Sequence, residues 1–466
     1  AASDVYKRQN RYCGRCGMGA VMGSKNLKAI AARGTRPIIT SDPDKIRRIS
    51  KKVRELLRRD QRTRSIAERG MAAQDGFKES GHVGIKNFQS VYFDRARRRG
   101  YNAVRKYYRK TIHHRGCPVD CDRVVEIPKG EPYGGTTVSS MEATPAWNFA
   151  HFLVDHLNSV IKGFELCNAY GLDVHSWSNV MQWAIECYER GILTKCETDG
   201  LDLRWGDGIL LLESIGKIAK REGRFGSLLA DGVARASKKI GRGSEKYAMH
   251  MKGMEIDDEL RINKGNALGV MTELRGPGHV LGSWWGETNK DLTPYEARKL
   301  YGTEYAARPM DYDDKADLVF STERYAAIQD CLGICAFSTH RIASRIYSEY
   351  NMRTYVELME AATSWKTSEE ELFQIADRIL ALEKSINILA GLERADDVPP
   401  DRFFEPIPDG HFKGISLDKT KVVELLRRHD ELHGWDPETG TPTRETLESL
   451  DLKEVADKLE SAGKLK

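Results

Sequence analysis

The sequence predicts a mainly α protein with a small β remnant near its start. Three observations carry this. Apolar residues recur every three to four positions through Leu153–Leu166, Trp177–Arg190 and Ile209–Glu222, the period of an amphipathic helix. The same period returns over Pro294–Tyr301, Asp314–Cys331, Ile342–Asn351, Thr354–Ser364, Ser368–Leu389 and Leu417–His429. Strand-like runs are confined to Lys28–Ala32 and a glycine-rich mixed segment, Lys246–Gly286. With 466 residues, 40% hydrophobic and 30% charged, the chain is long enough for two or three domains. Collagen-like, low-complexity and disulfide-dense classes are excluded. No apolar run reaches the roughly 18 residues of a membrane span, and mean hydropathy is −0.53.

In chain order, Ala1 to Gln9 precede a glycine-rich segment without an initiator Met. Asp4 to Gln9 read as a translated transposon end from a sequencing library, so residues 1–9 are expected to be an artefact on an N-terminally truncated fragment. Gly17-Met-Gly-Ala-Val-Met-Gly23-Ser-Lys25 is rich in exposed backbone N–H groups, which with Arg15 and Lys25 suit phosphate. It lacks the P-loop order and the acidic residue of a dinucleotide fingerprint. Asp42-Pro43 opens a helix, with Pro in the first turn. Residues 45–64 hold ten Lys/Arg and residues 95–110 hold eight. Solvated helix faces or an acidic partner would each account for them. Gly191 and Gly223 are read as helix-ending glycines.

The nine cysteines include three close pairs: Cys13/Cys16, Cys117/Cys121 and Cys331/Cys335. Thiolates are soft ligands for iron–sulfur clusters or zinc. His114-x2-Cys117-x3-Cys121 has the spacing of cluster ligands with an imidazole in the first place, and Cys335 supplies a third thiol. A zinc site joining Cys13 and Cys16 to Cys117 and Cys121 is the rival, and would make the chain a structural or nucleic-acid-binding protein. Two hexapeptides share a pattern: Asn168-Ala-Tyr-Gly-Leu-Asp173 and Asp330-Cys-Leu-Gly-Ile-Cys335. Two such loops could grip two copies of one heterocyclic ligand about a pseudo-twofold axis. The plain alternative is two helix C-caps.

Together these pieces resemble the tungsten-containing aldehyde:ferredoxin oxidoreductase family. The resemblance rests on Arg15 to Ile30, on the two hexapeptides, on Leu229-Ala-Asp-Gly-Val, and on His433-Gly-Trp-Asp followed by Gly440-Thr-Pro-Thr-Arg-Glu-Thr-Leu. It covers residues 11 to 460 and implies two helical domains after a β-rich, pterin-binding one. Residues 1–38 would be the remnant of that first domain, 39–243 a helical domain with the cluster cysteines and first pterin loop, and 244–466 a helical domain with the second loop. The implied cofactors are tungsten held by two molybdopterins, a [4Fe-4S] cluster, and Mg2+ bridging the pterin phosphates. Matched position by position, Arg15, Gly17 and Gly19 would meet the phosphates. Asn168, Gly171, Leu172 and Asp173 would hold one pterin; Asp330, Gly333 and Ile334 would hold the other. Cys117, Cys121 and Cys335 would ligate the cluster, with His114 standing where the family usually has its first Cys. Glu142, His151 and His279 are the candidate acid/base residues. Glu142 with His151 also resembles the tungsten subunit of class II benzoyl-CoA reductases, a branch of the same family. The resemblance therefore implies oxidation of an aldehyde to a carboxylic acid with ferredoxin as acceptor, or reduction of an aromatic acyl-CoA. A cytoplasmic homodimer with neither a membrane nor a nucleic-acid partner completes the expectation.

Overall fold

The computed structural model describes residues 15–31, 33–71, 83–93, 101–114, 116–138, 149–288 and 292–465. The fold is mainly helical with two small sheets, as the periodicity predicts. The strands Tyr108–Ile112, Asp122–Glu126 and Thr137–Val138 form one antiparallel sheet in sequence order, and His250–Met251 pairs with Met254–Glu255. Lys28–Ala31 forms no strand; it lies exposed and unpaired after a short helix, Met18–Ser24. The small sheets lie further along the chain instead.

Helices Leu157–Tyr170, Val174–Glu189, Gly208–Lys220, Gly223–Leu229 and Val233–Ile240 enclose the largest core, filled by Phe149, Phe152, Trp177, Trp183 and Phe225. The first helix starts four residues later than expected. Leu153 has a left-handed φ of 62° and closes a turn, so the helical run can begin only beyond it. Gly191 sits one residue beyond the capping Arg190 with φ 71°, as expected. Gly223 does not end its helix; Arg221 takes the left-handed position (φ 53°) instead. Gly223 opens the next helix because Asp199 caps that helix there, accepting from Arg224 N (3.1 Å) and Phe225 N (3.0 Å). A Cβ at Gly223 would lie 2.2 Å from Asp199 Oδ2.

A second core joins helices Lys264–Thr272, Lys315–Cys331 and Lys419–Leu432. Helix Lys264–Thr272 is absent from the periodicity analysis because all nine of its residues are buried, so it has no polar face to reveal a period. A third core lies between helices Pro43–Arg59, Met352–Thr363 and Glu369–Leu389. Asp42 caps the first of these, accepting from Lys45 N at 2.8 Å. Lys45 Nζ reaches Glu360 Oε2 at 2.5 Å, tying residues 43–59 to the later half of the chain. Ser368 and Glu371 form a capping box on helix Glu369–Leu389. The helix expected over Ile342–Asn351 shrinks to a single 3-10 turn, Ser344–Ile346. There the Ser344 carbonyl accepts from Tyr301 Oη (2.7 Å), a tertiary bond that competes with the helical ladder. Among the described residues no helix is long and apolar enough to cross a membrane.

Candidate active site

The two hexapeptides fold alike, bond for bond. Helix Leu157–Tyr170 closes on Gly171 (φ 69°), with Gly171 N to Asn168 O at 3.2 Å and Leu172 N to Cys167 O at 2.8 Å. Helix Lys315–Cys331 closes on Gly333 (φ 66°), with Gly333 N to Asp330 O at 3.2 Å and Ile334 N to Gln329 O at 2.9 Å. Both are Schellman turns, so the C-cap reading is correct; each also presents a short polar-edged loop. The sixth residue then starts the next element. Asp173 caps helix Val174–Glu189 through His175 N (3.1 Å), and Cys335 precedes the 3-10 turn Ala336–Ser338. The left-handed φ explains the glycine in each loop. Open space surrounds a Cβ built at Gly333, so only backbone strain opposes it. Gly333→Ala is expected to cost about 1–2 kcal/mol in urea unfolding; a neutral result would show that this turn relaxes.

Arg15 joins the first loop to the segment after the second small sheet. Its Nε donates to Asp173 Oδ2 at 2.8 Å, Nη2 to Glu255 O at 2.7 Å and Nη1 to Pro277 O at 3.2 Å, with Asp257 Oδ1 at 3.6 Å. Gly17, at φ 78°, turns the chain into helix Met18–Ser24, and Gly19 is buried within it. His175 Nδ1 stands 3.1 Å from Asp257 Oδ2, and His279 Nδ1 stands 2.9 Å from Asp258 Oδ2. Burial pushes the Asp257 carboxyl up, but His175, Arg15 and His279 outweigh it and hold it at about 2. Burial pushes the His279 imidazole down, but the Asp258 and Asp257 carboxylates raise it to about 9. Asp257, Asp258 and His279 bring their ligand atoms within 4.8 Å of one another, a group able to hold a cation. Sequence reasoning missed His175, Asp257 and Asp258. The acidic run Asp257-Asp258-Glu259, directly after the strand-like Met254–Glu255, was the available signal.

This geometry sets a pH dependence. The folded His279 binds its proton more tightly than an ordinary imidazole of pKa about 6.5. Its stabilisation is therefore full below about pH 6.5 and is lost as pH rises through about 9. His279→Asn is expected to lower stability by roughly 1–2 kcal/mol at pH 6 and by little at pH 9.5. Equal losses at both pH values would refute the protonated pair.

The second loop borders a cavity of about 880 Å³. Gly333, Ile334 and Cys335 line it together with His114, Cys117 and Cys121. These four metal-ligand candidates come from two parts of the fold, the connection between strands Tyr108–Ile112 and Asp122–Glu126 and the turn after helix Lys315–Cys331, and Arg47 and Arg54 of the basic helix Pro43–Arg59 stand at the same cavity. His114 Nε2 lies 2.6 Å from Asp122 Oδ2, leaving Nδ1 as the ring's other ligand atom. A tetrahedral zinc, with Zn–S bonds of about 2.3 Å, would need its thiolates about 3.8 Å apart. Among the described residues, the groups whose ligand atoms converge within 4.8 Å contain no cysteine. Cys16 Sγ contacts Arg275 O at 3.7 Å, and Cys13 lies outside the described residues, so their pairing adds nothing here.

Arg341 is buried with its Cζ 4.8 Å from the Trp285 ring centroid, and its Nε and Nη2 have no hydrogen-bond partner among the described residues. Such a guanidinium, near Asp330 and Glu273, can pair with an anionic group. His151 is buried against Phe88, its Nδ1 2.9 Å from Gln182 Nε2. Gln182 lies on a helix of the first core, and Phe88 belongs to the second. Asn168 is half-buried beside its loop, and Asp330 is exposed beside the other. Glu142 lies outside the described residues.

A family model described as aldehyde ferredoxin oxidoreductase, domains 2 and 3, matches residues 48–452, and one described as the N-terminal domain of the same family matches residues 1–34. The tungsten-containing aldehyde ferredoxin oxidoreductase of Pyrococcus furiosus is 32% identical over 457 residues, covering 96% of this chain and 70% of that protein. The protein of the same name from Pyrococcus horikoshii is 32% identical over 464 residues, covering 97% of this chain and 71% of that protein. Among solved structures, the active site complex BamBC of benzoyl coenzyme A reductase, in complex with 1,5 dienoyl-CoA, superposes with a TM-score of 0.74 at 22% identity. It covers 96% of this chain and 71% of that one, a likeness of fold.

Proposed function

Because the chain belongs to the aldehyde ferredoxin oxidoreductase family, an oxidoreductase family, we propose that it oxidises aldehydes to carboxylic acids at a tungstopterin and passes the electrons through a [4Fe-4S] cluster to ferredoxin. The observation that carries this reading is the single cavity lined by Cys117, Cys121, Cys335 and His114 beside the Gly333–Ile334 turn. On this reading Arg15, Gly17 and Gly19 would meet the pterin phosphates, Asn168, Gly171, Leu172 and Asp173 would hold one pterin, and Asp330, Gly333 and Ile334 the other. Buried Arg341, two of whose nitrogens have no hydrogen-bond partner among the described residues, and the matched pair of Schellman turns support two copies of an anionic heterocycle. When bound, the tungstopterin supplies two-electron redox chemistry and the cluster divides it into single electrons.

The chain's own residues do the rest. His279, protonated beside Asp258, holds a proton at its ring for exchange with substrate; Glu142 is the second candidate for that task. Arg15 neutralises Asp173 and Asp257, so the first loop keeps its form beside a negatively charged ligand. Asp122 orients His114 so that Nδ1 is left for iron, the arrangement metal-bound histidines commonly adopt. Arg47 and Arg54, at the cysteine cavity, offer an acidic ferredoxin a basic approach.

Elemental analysis of the anaerobically purified protein tests this. About one tungsten and about four irons per chain are expected; zinc alone would sink the proposal. A second reading, reduction of an aromatic acyl-CoA, rests on His114 and on His151, which is buried beside Gln182. Aldehyde-dependent reduction of a viologen dye distinguishes the two: activity with aldehydes alone supports the first.

A further inference from the structure

Away from the loops and the cysteine cavity, three buried side chains converge. Glu323 lies on helix Lys315–Cys331. His429 lies near the end of helix Lys419–Leu432, and His433 directly follows that helix. One carboxylate oxygen of Glu323, Oε2, stands 2.8 Å from His429 Nε2 and 3.0 Å from His433 Nε2. The three ligand atoms lie within 4.8 Å of one another. Metal bonds of about 2.1 Å at right angles put neighbouring ligand atoms about 3 Å apart, so these separations match one face of a coordination sphere.

The supporting contacts match as well. Thr272 Oγ1 donates to the other carboxylate oxygen of Glu323 at 2.7 Å, orienting it. The His433 ring stacks on Trp435 at 4.4 Å and 19°, and its other neighbour Phe320 meets it edge-on. A Cβ at Gly282 would lie 2.6 Å from Glu323 Oε1, so glycine keeps the backbone clear of the carboxylate.

The decisive atom is His429 Nδ1. It is buried, makes no hydrogen bond among the described residues, and has Asp430 Oδ1 3.7 Å away. If a neutral His429 donates from Nε2 to Glu323, its Nδ1 becomes a bare lone pair facing a carboxylate. A metal on Nε2 reverses the tautomer, so that Nδ1–H points at Asp430. That is the carboxylate–histidine–metal arrangement common in protein metal sites.

We propose that Glu323, His429 and His433 bind a structural divalent cation of the zinc or ferrous class, pinning helix Lys419–Leu432 to helix Lys315–Cys331. The site uses two imidazoles and one carboxylate oxygen, a donor set that borderline transition metals favour over Mg2+ or Ca2+. It lies apart from the residues assigned to pterins and cluster, and does not depend on those assignments.

The full chain, stripped with chelator and titrated with Co2+, tests it. Expected are one saturable equivalent with visible d–d bands and no sulfur-to-cobalt charge-transfer band for that equivalent, displaced by Zn2+. Cys117→Ser is expected to keep this signal. Glu323→Gln and His433→Gln are expected to weaken binding roughly 10–100-fold while keeping native circular dichroism. If either variant fails to fold, the wild-type protein still decides, through two paramagnetically shifted imidazole N–H resonances. Absence of saturable cobalt binding, retention of full affinity in both folded variants, or cobalt held through sulfur alone would overturn the proposal.

Discussion

If the proposed cluster occupies the cysteine cavity, Cys335→Ser is expected to leave the protein with little or no iron, against about four atoms per chain expected for the parent. The reduced-cluster EPR signal should vanish with it. Electron delivery to ferredoxin should fall at least ~100-fold, because a missing ligand strands the electrons at the first centre. Cys335 is exposed and lies outside the main apolar cores, so the fold should survive; circular dichroism checks this. Cys331→Ser is the control. That thiol is also exposed, four residues earlier, but does not line the cysteine cavity. Unchanged iron in Cys335→Ser, or equal loss in Cys331→Ser, would remove the cavity as the cluster site. His114→Cys adds a further reading: a thiolate in place of imidazole should lower the cluster's potential, since histidine ligation raises it.

The largest expected effect on stability comes from Lys315→Met. Lys315 Nζ and Glu287 Oε2 are 2.8 Å apart and wholly buried. The ammonium also donates to Tyr305 O (2.8 Å) and Arg308 O (2.9 Å). The carboxylate accepts from Gly265 N (3.1 Å) and Asn266 N (2.7 Å), holding the start of helix Lys264–Thr272. Removing the ammonium leaves a buried carboxylate without its cation, at a cost of about 3–5 kcal/mol. Urea unfolding should show a midpoint shift of that size. Lys315→Met with Glu287→Gln should recover part of the loss, because the uncompensated charge is gone. A loss below ~1 kcal/mol would mean that water reaches the site.

Helices with one wet face, Pro294–Tyr301 and Glu369–Leu389, were legible in the sequence from their pattern, and the structure adds a capping box at the start of each. Where that contrast failed, reading failed too. Lys264–Thr272 is buried all round, and Ile342–Asn351 loses its helix to a hydrogen bond from Tyr301, distant in sequence. The glycines of the two loops were legible because a left-handed φ demands that residue type.

By itself, then, the sequence determined the mainly helical class, the pair of glycine-closed loops and the thiol and imidazole types proposed for cluster ligation. These follow from periodicity, backbone sterics and donor chemistry, all of them local. Only the tertiary structure decided which groups meet. It brought His114, Cys117 and Cys121 to the same cavity as Cys335, and set Arg15 between Asp173 and Asp257. It also closed His429, on helix Lys419–Leu432, and His433, directly after it, onto Glu323. Electrostatic and metal-binding strength depend on distance and burial, and packing sets both across more than a hundred residues of chain.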